Sequence, residues 1–287
     1  MKSLVPVLTV VGAIMVLWYG AAVWMNSQWT LDQATRAGTE PSFLAIMADT
    51  MAQDRPILPA PHQVLSELYD TVIDKKITSK RSLVFHAWIT LSATLLGFVF
   101  GTIAGIFLAV GIVHNRAMDM SVMPWAIASQ TIPILAIAPM IIVVMNSVGI
   151  QGLVPKAFIS AYLSFFPVVV GMVKGLRSPG AMQLDLMRTY HASRVATFWK
   201  LRLPASMPYL FTSLKVGIAA SLVGAIVGEL PTGAVRGLGA RMLSGSYYGQ
   251  TIQIWSALFM AAAVAAGLVA IVGIIQRITL RRMGLAQ

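Results

Sequence analysis

The side chains that could carry chemistry are few in this sequence, and none of them forms a catalytic arrangement. Its four histidines, His62, His86, His114 and His191, are widely separated and lack the spacing of metal ligands. There is no cysteine, which excludes disulfides and thiolate metal sites. The sequence contains no Gly-x-Ser-x-Gly, His-Glu-x-x-His or Gly-x-x-x-x-Gly-Lys-Ser/Thr motif. We therefore predict no catalytic residue, metal or cofactor, and no nucleotide-binding motif is present in the sequence.

One acidic residue stands out because it lies at the end of an apolar stretch. Glu229 follows a long hydrophobic run and stands next to Pro231 and close to Gly233. An ionisable residue within a membrane segment is by default a candidate functional residue. Glu229 either lines the external mouth of a transport pathway, or pairs with Arg236 or Arg241, or caps a short helix, and the sequence favours none of these alternatives.

The elements that must position such residues are apolar helices. Hydrophobic residues make up 57% of the 287 residues and charged residues 11%, whereas soluble domains usually carry about 25% charged residues. A helix needs roughly 20 apolar residues to cross the hydrocarbon core of a bilayer. Within the fourth apolar stretch, Lys156 is expected to extend its long stem to the interface. We predict an all-α membrane protein with six transmembrane helices, at Val5–Met25, Trp88–Val113, Met120–Met145, Leu153–Val173, Val216–Leu230 with its flanks, and Thr251–Ile275.

The basic residues indicate how the chain is oriented. The net charge is +11, but residues 26–85 hold seven of the ten acidic residues and only six of the 21 basic ones. Of the other basic residues, twelve fall in termini and loops that six crossings place on one side. Because short cytoplasmic loops are enriched in Lys and Arg, we predict that both termini are cytoplasmic. The protein is then a multi-pass inner (plasma) membrane protein, and a nucleic-acid-binding surface is not expected.

The chain divides into three predicted regions. Residues 1–25 form an N-terminal transmembrane helix, and residues 26–85 form an external polar segment in which an amphipathic helix follows Pro61. Residues 86–284 form a five-helix core that includes a cytoplasmic loop, residues 174–208. Small residues recur every four positions on two core helices, which predicts close helix packing: Gly97, Gly101, Gly105 and Ala109 on one, and Gly217, Ser221, Gly224 and Gly228 on the other.

The third predicted span is interrupted by Pro124, Pro133 and Pro139. Each internal proline removes a backbone hydrogen bond, and irregular backbone at membrane depth is tolerated where it is buried in protein or lines a cavity. A kinked helix without a transport role is the alternative. We take as candidate pathway residues Gln130, Thr131, Pro133 and Pro139 on this span, and Ser221 and Glu229 on the fifth.

The loop between the fourth and fifth spans has the character of a surface helix. A helix is predicted from about Ala181 to Trp199 and should end at Leu203, because the residue before Pro204 is pushed out of helical conformation. Pro208 is then expected in the first turn of the fifth membrane helix. Such a segment either passes movement from a soluble partner into the helix bundle or lies on anionic lipid of the inner leaflet.

This loop resembles the cytoplasmic signature of binding-protein-dependent ABC importer permeases, in which Glu-Ala-Ala, three residues, Gly, nine residues and Ile-x-Leu-Pro follow one another. Asp185-Leu186-Met187 stands at the first position, His191 at the glycine, and Leu201-Arg202-Leu203-Pro204 at the end. The resemblance extends over roughly residues 60–284 and is greatest to the nitrate/sulfonate/taurine subgroup. The larger residues at the alanine positions and His191 at the glycine position depart from the pattern.

The resemblance implies the transmembrane subunit of an ATP-driven importer, with no catalytic activity of its own. It implies three protein partners: a cytoplasmic ABC ATPase, an external solute-binding protein and a second permease subunit, in a homodimer or a heterodimer. The coupling helix that docks on the ATPase would be marked by Asp185, His191, Ala192, Leu201, Leu203 and Pro204. An ion-coupled secondary transporter or channel is the alternative, and a membrane scaffold is a third class. The stretch Gly228–Gly233 resembles permeases for pyrimidine-type or vitamin-precursor solutes.

Overall fold

The computed structural model describes residues 4–231 and 236–285, and over these ranges its regular structure is helical. Two short π-helical turns, Asp70–Asp74 and Phe198–Arg202, adjoin α-helices. The α-helices are α1 (Leu4–Ala37), α2 (Phe43–Ala52), α3 (Pro61–Tyr69), α4 (Leu83–His114), α5 (Arg116–Ser129), α6 (Ile134–Ser147), α7 (Leu153–Leu176), α8 (Ala181–Thr189), α9 (Arg194–Thr197), α10 (Leu203–Glu229), α11 (Leu238–Tyr247) and α12 (Thr251–Arg282). The predicted all-α fold is confirmed.

The membrane-spanning helices agree with the hydropathy of the sequence. By length and composition, α1, α4, α7, α10 and α12 can each cross a membrane. Helices α5 and α6 make a sixth candidate span only if they are taken together, because the chain bends by 100° at the break between them. The third predicted span, Met120–Met145, is therefore a broken pair of helices, and its irregular point lies at residues 130–133.

Two short helices form in segments for which the sequence analysis named no helix. Helix α2 lies in the external polar segment, where the Ser42 side chain caps its first turn by accepting a hydrogen bond from the Ala45 amide at 3.3 Å. Helix α11 lies in the glycine-rich stretch 231–250. Here Gly245 permits close packing, since an added Cβ would lie 2.7 Å from the side chain of Ile254. Residues 232–235 lie outside the described residues.

The helices group into two compact units. The first contains Met1–Ala87 and Ala240–Ala261, and the second contains Trp88–Gly239 and Ala262–Gln287. Helices α4 and α12 therefore contribute one end to each unit.

In the first unit, α1 holds the segment that leads into α3. The side-chain oxygen of Asn26 accepts hydrogen bonds from the amides of Ile57 (2.8 Å) and Leu58 (3.2 Å), and its nitrogen donates to the Leu58 carbonyl at 2.9 Å. About two helical turns earlier on α1, the Trp18 indole donates a hydrogen bond to the carbonyl of Pro59 at 2.9 Å. Asn26 is completely buried, so an extended peptide is fixed to a membrane helix by specific hydrogen bonds. The amphipathic helix predicted after Pro61 is present as α3.

In the second unit, α7 packs closely against both α4 and α10. A Cβ added at Gly105 of α4 would lie 2.9 Å from the Val168 side chain, and one at Gly224 of α10 would lie 2.7 Å from Cα of Ser160. Both stripes of small residues thus face α7, which agrees with the packing interpretation of their spacing.

A chain of small polar groups joins the same three helices. The Ser221 hydroxyl of α10 donates to the Thr94 carbonyl of α4 at 2.8 Å, and the Ser160 hydroxyl of α7 lies 2.6 Å from that of Ser221. All three residues are fully buried. Ser221 is therefore occupied by helix packing in this chain, although we had placed it among the candidate pathway residues.

Candidate functional site

The loop between α7 and α10 contains a sharply defined corner at His191. Helix α8 ends there with two reversed hydrogen bonds, from the His191 amide to the Arg188 carbonyl (2.9 Å) and from the Ala192 amide to the Met187 carbonyl (2.9 Å). This pattern is a Schellman cap, whose central residue adopts the left-handed conformation. His191 has φ of 52° and is the one non-glycine residue with positive φ among the described residues. The backbone conformation therefore explains why glycine suits this position of the family signature.

The chain restarts immediately after this corner. Ser193 caps α9, its side chain accepting from the Ala196 amide at 3.1 Å, and the π-helical turn Phe198–Arg202 continues directly into α10. Our prediction of one helix from Ala181 to Trp199 was wrong, because the left-handed residue and the serine cap both interrupt it. The predicted helix end at Leu203 was also wrong. Pro204 lies in α10 directly after the π-helical turn, so the helix continues through this proline and does not end before it.

The predicted coupling residues fall into two groups. Asp185 and His191 are exposed, and Asp185 forms an ion pair of 3.1 Å with the equally exposed Arg188. The other four are half-buried: Ala192, Leu201, Leu203 and Pro204. Leu203 packs against a buried cluster of the helix core that includes Ile112 and Leu176. Leu203 thus contributes to the core of this chain.

Several large apolar side chains that the sequence analysis did not single out are exposed on the loop. They are Met182, Leu186, Tyr190, Val195 and Trp199. No residue of α8 is buried. The signal was present in the sequence, because an apolar residue every four positions from Met182 to Tyr190 describes one helical face.

The loop is firmly attached to the membrane helices at its far end. The Arg202 guanidinium donates to the Leu176 carbonyl at the end of α7, at 3.1 Å. The Phe198 ring packs edge-on against the His114 ring at the end of α4, with 5.3 Å between centroids. The π-helical turn therefore contacts α4 and α7 and is continuous with α10. Through this turn, the segment that contains α8 is attached to three membrane helices.

Three of the six predicted pathway residues are exposed on the broken pair α5 and α6. Thr131, Pro133 and Pro139 are exposed, whereas the side-chain nitrogen of Gln130 is buried without a hydrogen-bond partner in the described part of the chain. The break is fixed from one side, where the Tyr162 hydroxyl of α7 donates to the Ser129 carbonyl. The structure therefore brings Gln130, Thr131 and Pro133 together at one irregular point.

Glu229 lies in a different place and is fully buried, with 0% of its surface exposed. The Thr90 hydroxyl of α4 lies 3.0 Å and 3.1 Å from its two carboxylate oxygens, and the Gly239 amide donates to Oε2 at 2.8 Å. Thr90 also accepts from the Leu238 amide at 2.9 Å. One carboxylate thus ties the ends of α4 and α10 to the start of α11.

Lys156 provides a positive charge next to this carboxylate. Its ammonium nitrogen lies 4.0 Å from Glu229 Oε1, and its side chain is 11% exposed. The prediction that Lys156 extends to the interface was wrong, because a buried carboxylate offers the cation a partner inside the protein. Neither Lys156 nor Thr90 was predicted as a site residue. The sequence did contain a signal for this pair, because one apolar span holds a single lysine and another holds a single acidic residue.

Two glycines allow the chain to approach Glu229. Gly237 has φ of 122°, which L side chains rarely adopt, and a Cβ there would collide with the Glu229 carboxylate. A Cβ at Gly239 would lie 3.0 Å from Cβ of Glu229. The arrangement is suited to holding helix ends in place.

Comparison with known proteins identifies the family. Residues 101–285 match the family of binding-protein-dependent transport system inner membrane components. A probable ABC transporter permease protein of Haemophilus influenzae is 28% identical over 209 residues, which are 73% of this chain and 80% of that protein. The riboflavin transport system permease protein of Chloroflexus aurantiacus is 30% identical over 225 residues, 78% of this chain and 80% of that protein. The formylaminopyrimidine transport permease protein of Halalkalibacterium halodurans is 30% identical over 184 residues, 64% of this chain and 68% of that protein.

The family match covers well over half of the chain, and it includes α8, the corner at His191 and the broken pair α5 and α6. An ion-coupled secondary transporter is not favoured by these relatives. This chain therefore belongs to the binding-protein-dependent ABC importer permeases, the multi-pass inner-membrane subunits that carry small solutes while a separate chain provides the ATPase.

Proposed function

We propose that residues 181–203 form the surface through which a cytoplasmic ABC ATPase moves this permease. The observation that carries the proposal is the exposed apolar face of α8 and its corner, made by Met182, Leu186 and Tyr190. Large apolar side chains exposed together mark protein interaction sites, and this family works with an ATPase on a separate chain. Asp185 and His191 lie on the same exposed segment, whereas Ala192, Leu201, Leu203 and Pro204 support it from within.

The attachment of the loop suits transmission of movement. A push on α8 passes through the capped corner at His191 to the π-helical turn, which contacts α4 and α7 and continues into α10. Rotation of α10 would then open the pathway alternately to each side, as alternating access requires. An external solute-binding protein delivers the solute to the outward-open state.

The docking surface is tested by two matched substitutions in tagged protein purified from native membranes. Tyr190→Glu places a charge on the proposed surface, where Tyr190 is 76% exposed, and Tyr247→Glu places the same charge on α11, where Tyr247 is 78% exposed. We expect co-purification of the ATPase to be lost with Tyr190→Glu and kept with Tyr247→Glu. Equal recovery of the ATPase with both variants would contradict the proposed surface.

We further propose that a second permease subunit covers the break between α5 and α6. Thr131 and Pro133 are exposed there, and lipid cannot satisfy irregular backbone. The two copies would enclose a pathway lined by Gln130, Thr131, Pro133 and Pro139. Ser221 and Glu229, buried within one chain, would support its walls.

The absence of cysteine from the sequence makes this dimer simple to test. Thr131→Cys introduces the single thiol at the proposed interface, and Val16→Cys introduces one on an exposed position of α1. We expect oxidative cross-linking of Thr131→Cys to give a disulfide-linked dimer, and Val16→Cys to give little. A heterodimer would yield a cross-link only to a different permease chain that also carries a cysteine. Cross-linking of Val16→Cys alone would refute the proposed interface.

The solute that we propose is a small nitrogen heterocycle of the pyrimidine or vitamin-precursor type. The support is the similarity of the chain to permeases named for formylaminopyrimidine and riboflavin, each 30% identical, against 26% for a nitrate import permease of Leptolyngbya laminosa. Uptake of labelled pyrimidine precursors and of nitrate by cells that carry or lack this chain distinguishes the two classes. Loss of nitrate uptake alone would refute the heterocycle assignment.

A further inference from the structure

A cavity between α10 and α12, which contains none of residues 181–203 and none of the broken pair, is lined by basic side chains. Its volume is about 590 Å³, and the basic residues on its wall are Lys215 of α10 and Arg277 and Arg281 of α12. Gly273 completes the α12 wall at its inner end, where an added Cβ would lie 3.8 Å from the Lys215 ammonium. Gly273 and Lys215 therefore face each other across the cavity at van der Waals distance.

The three positive charges are not neutralised within the described part of the chain. No aspartate or glutamate lines the cavity, and the ion pairs found among the described residues involve none of the three. Lys215 is half-buried, whereas Arg277 and Arg281 are exposed. Charged residues in membrane segments normally pair with one another or with a ligand. A cavity that collects three unpaired cations from two membrane helices is therefore suited to an anion.

A fourth polar group in the cavity is also without a partner. The side-chain oxygen of Gln276 is buried and has no hydrogen bond within the described residues. Amide nitrogen and oxygen are interchangeable by rotation, so that Gln276 can present two N–H donors to an anion.

We propose that this cavity binds a phosphate-type oxyanion, presented by the headgroup of an anionic phospholipid of the inner leaflet. Half of the wall is apolar, with Pro208 and Leu280 beside the basic groups. The same end of α12 exposes Ile274, Ile275 and Ile278, which suit contact with acyl chains. A lipid offers both chemistries, whereas a free oxyanion offers only the first.

The depth of the cavity also fits a lipid. Arg281 lies in the last turn of α12, and Gly273 lies eight residues nearer the membrane centre, which corresponds to about 12 Å along a helix. The headgroup layer is roughly 5–8 Å thick on each side of a bilayer. The cavity therefore extends from headgroup level to the start of the hydrocarbon, provided that this end of α12 is cytoplasmic, as the basic loops predict. A bound phosphate would neutralise the cations and join α12 to α10, the helix that continues from the coupling segment.

The test uses the purified full-length chain without its ATPase, so that its outcome is independent of the coupling proposal. Delipidated protein in neutral detergent is titrated with dioleoyl phosphatidylglycerol, dioleoyl phosphatidylcholine or inorganic phosphate. We measure the midpoint temperature of thermal unfolding and, by native mass spectrometry, the amount of lipid that the protein retains. The variant Lys215→Gln/Arg277→Gln is compared with Arg282→Gln/Arg116→Gln, which removes the same charge from exposed positions outside the cavity.

We expect phosphatidylglycerol to raise the thermal midpoint and to be retained, and phosphatidylcholine to do neither. Each basic residue near an anionic lipid is worth roughly fivefold in affinity, so the cavity variant should bind about 25-fold more weakly. The control should stay within about twofold.

Three results would overturn the proposal. Equal loss of binding in the two double variants would show that only general surface charge matters. Undiminished binding in the cavity variant would exclude this cavity. Stabilisation by inorganic phosphate equal to that by phosphatidylglycerol would assign the cavity to a soluble anion. If the double variant does not fold, Arg281→Gln at the exposed end of the cavity replaces it, with an expected loss of about fivefold.

Discussion

The contact between Lys156 and Glu229 allows a quantitative test of the buried site. We consider Lys156→Met, Glu229→Gln and the double variant. Each single substitution leaves one charged group buried opposite a neutral partner. Removing one member of a buried ion pair typically destabilises a protein by about 3–5 kcal/mol, and we expect each single variant to lose stability in this range.

The expected coupling follows from the geometry. Two unit charges at the observed 4.0 Å interact by about 4 kcal/mol at an effective dielectric constant of 20. This value is an upper bound, because Lys156 can redirect its long stem towards water once Glu229 is neutral. We therefore expect the double variant to lose about 2–4 kcal/mol less stability than the two single variants lose together. Thr90 and Gly239 keep their hydrogen bonds to Glu229 when Lys156 alone is replaced.

The assay is unfolding of the purified chain in mixed micelles at increasing SDS, followed by tryptophan fluorescence. The matched control is the cycle Asp185→Asn and Arg188→Met, whose side chains are 3.1 Å apart but mostly exposed. Exposed pairs contribute about 0.2–1 kcal/mol, so the control coupling should be small despite the shorter distance. Additivity of Lys156→Met and Glu229→Gln within about 0.5 kcal/mol would refute the inference that these groups interact as buried charges.

Three further predictions concern stability. His191→Gly removes a left-handed non-glycine residue from the α8 cap and should raise stability by up to about 1 kcal/mol; an unchanged or lower thermal midpoint would contradict the cap interpretation. Gly101→Val would force side-chain atoms into α7 and should destabilise by more than about 2 kcal/mol, whereas Gly12→Val, where nothing lies within 4 Å, should be neutral; similar midpoints for both would refute the packing seam. Asn26→Ala removes the acceptor of two part-buried amides, those of Ile57 and Leu58, and should cost about 0.5–1.5 kcal/mol for each lost hydrogen bond. Limited proteolysis near residue 57 should then increase. The half-buried Ser27→Ala, whose hydroxyl bonds the Trp24 carbonyl of its own helix, should have no such effect.

The membrane class and most of the helix positions could be predicted from the sequence. Long apolar runs predict spanning helices because lipid leaves the backbone no other way to satisfy its hydrogen bonds. The amphipathic spacing after Pro61 likewise predicted α3. Local pattern was sufficient in these cases because each helix makes its own backbone hydrogen bonds.

The position of the loop between α7 and α10 could be predicted from the sequence, but its shape could not. Helix propensity favoured a continuous helix through residue 191, since residues other than glycine seldom adopt the left-handed conformation. The structure ends α8 there because the cap bonds to Met187 and Arg188 and the Ser193 cap of the next helix together stabilise the corner. The family pattern, which has glycine at this position, was a better guide than the propensity of the residue present.

The candidate site around Glu229 was predicted only in part. The sequence identified the acid but left two partners open, Arg236 and Arg241, both close to it along the chain. The structure adds Lys156 and Thr90, which are 73 and 139 residues distant in sequence. Such contacts depend on how the helices pack, and hydropathy contains no information on which face of one helix meets which face of another.

The sequence by itself thus determined that this chain crosses the membrane repeatedly, where its helices run, and to which family it is similar. These properties follow from composition, local periodicity and a short signature. Tertiary structure alone decided that Ser221 is used in packing, that Lys156 turns inward to Glu229, and that α5 and α6 meet at 100°. Each of these is set by contacts between residues far apart in sequence, whose energies depend on a three-dimensional arrangement that no local pattern specifies.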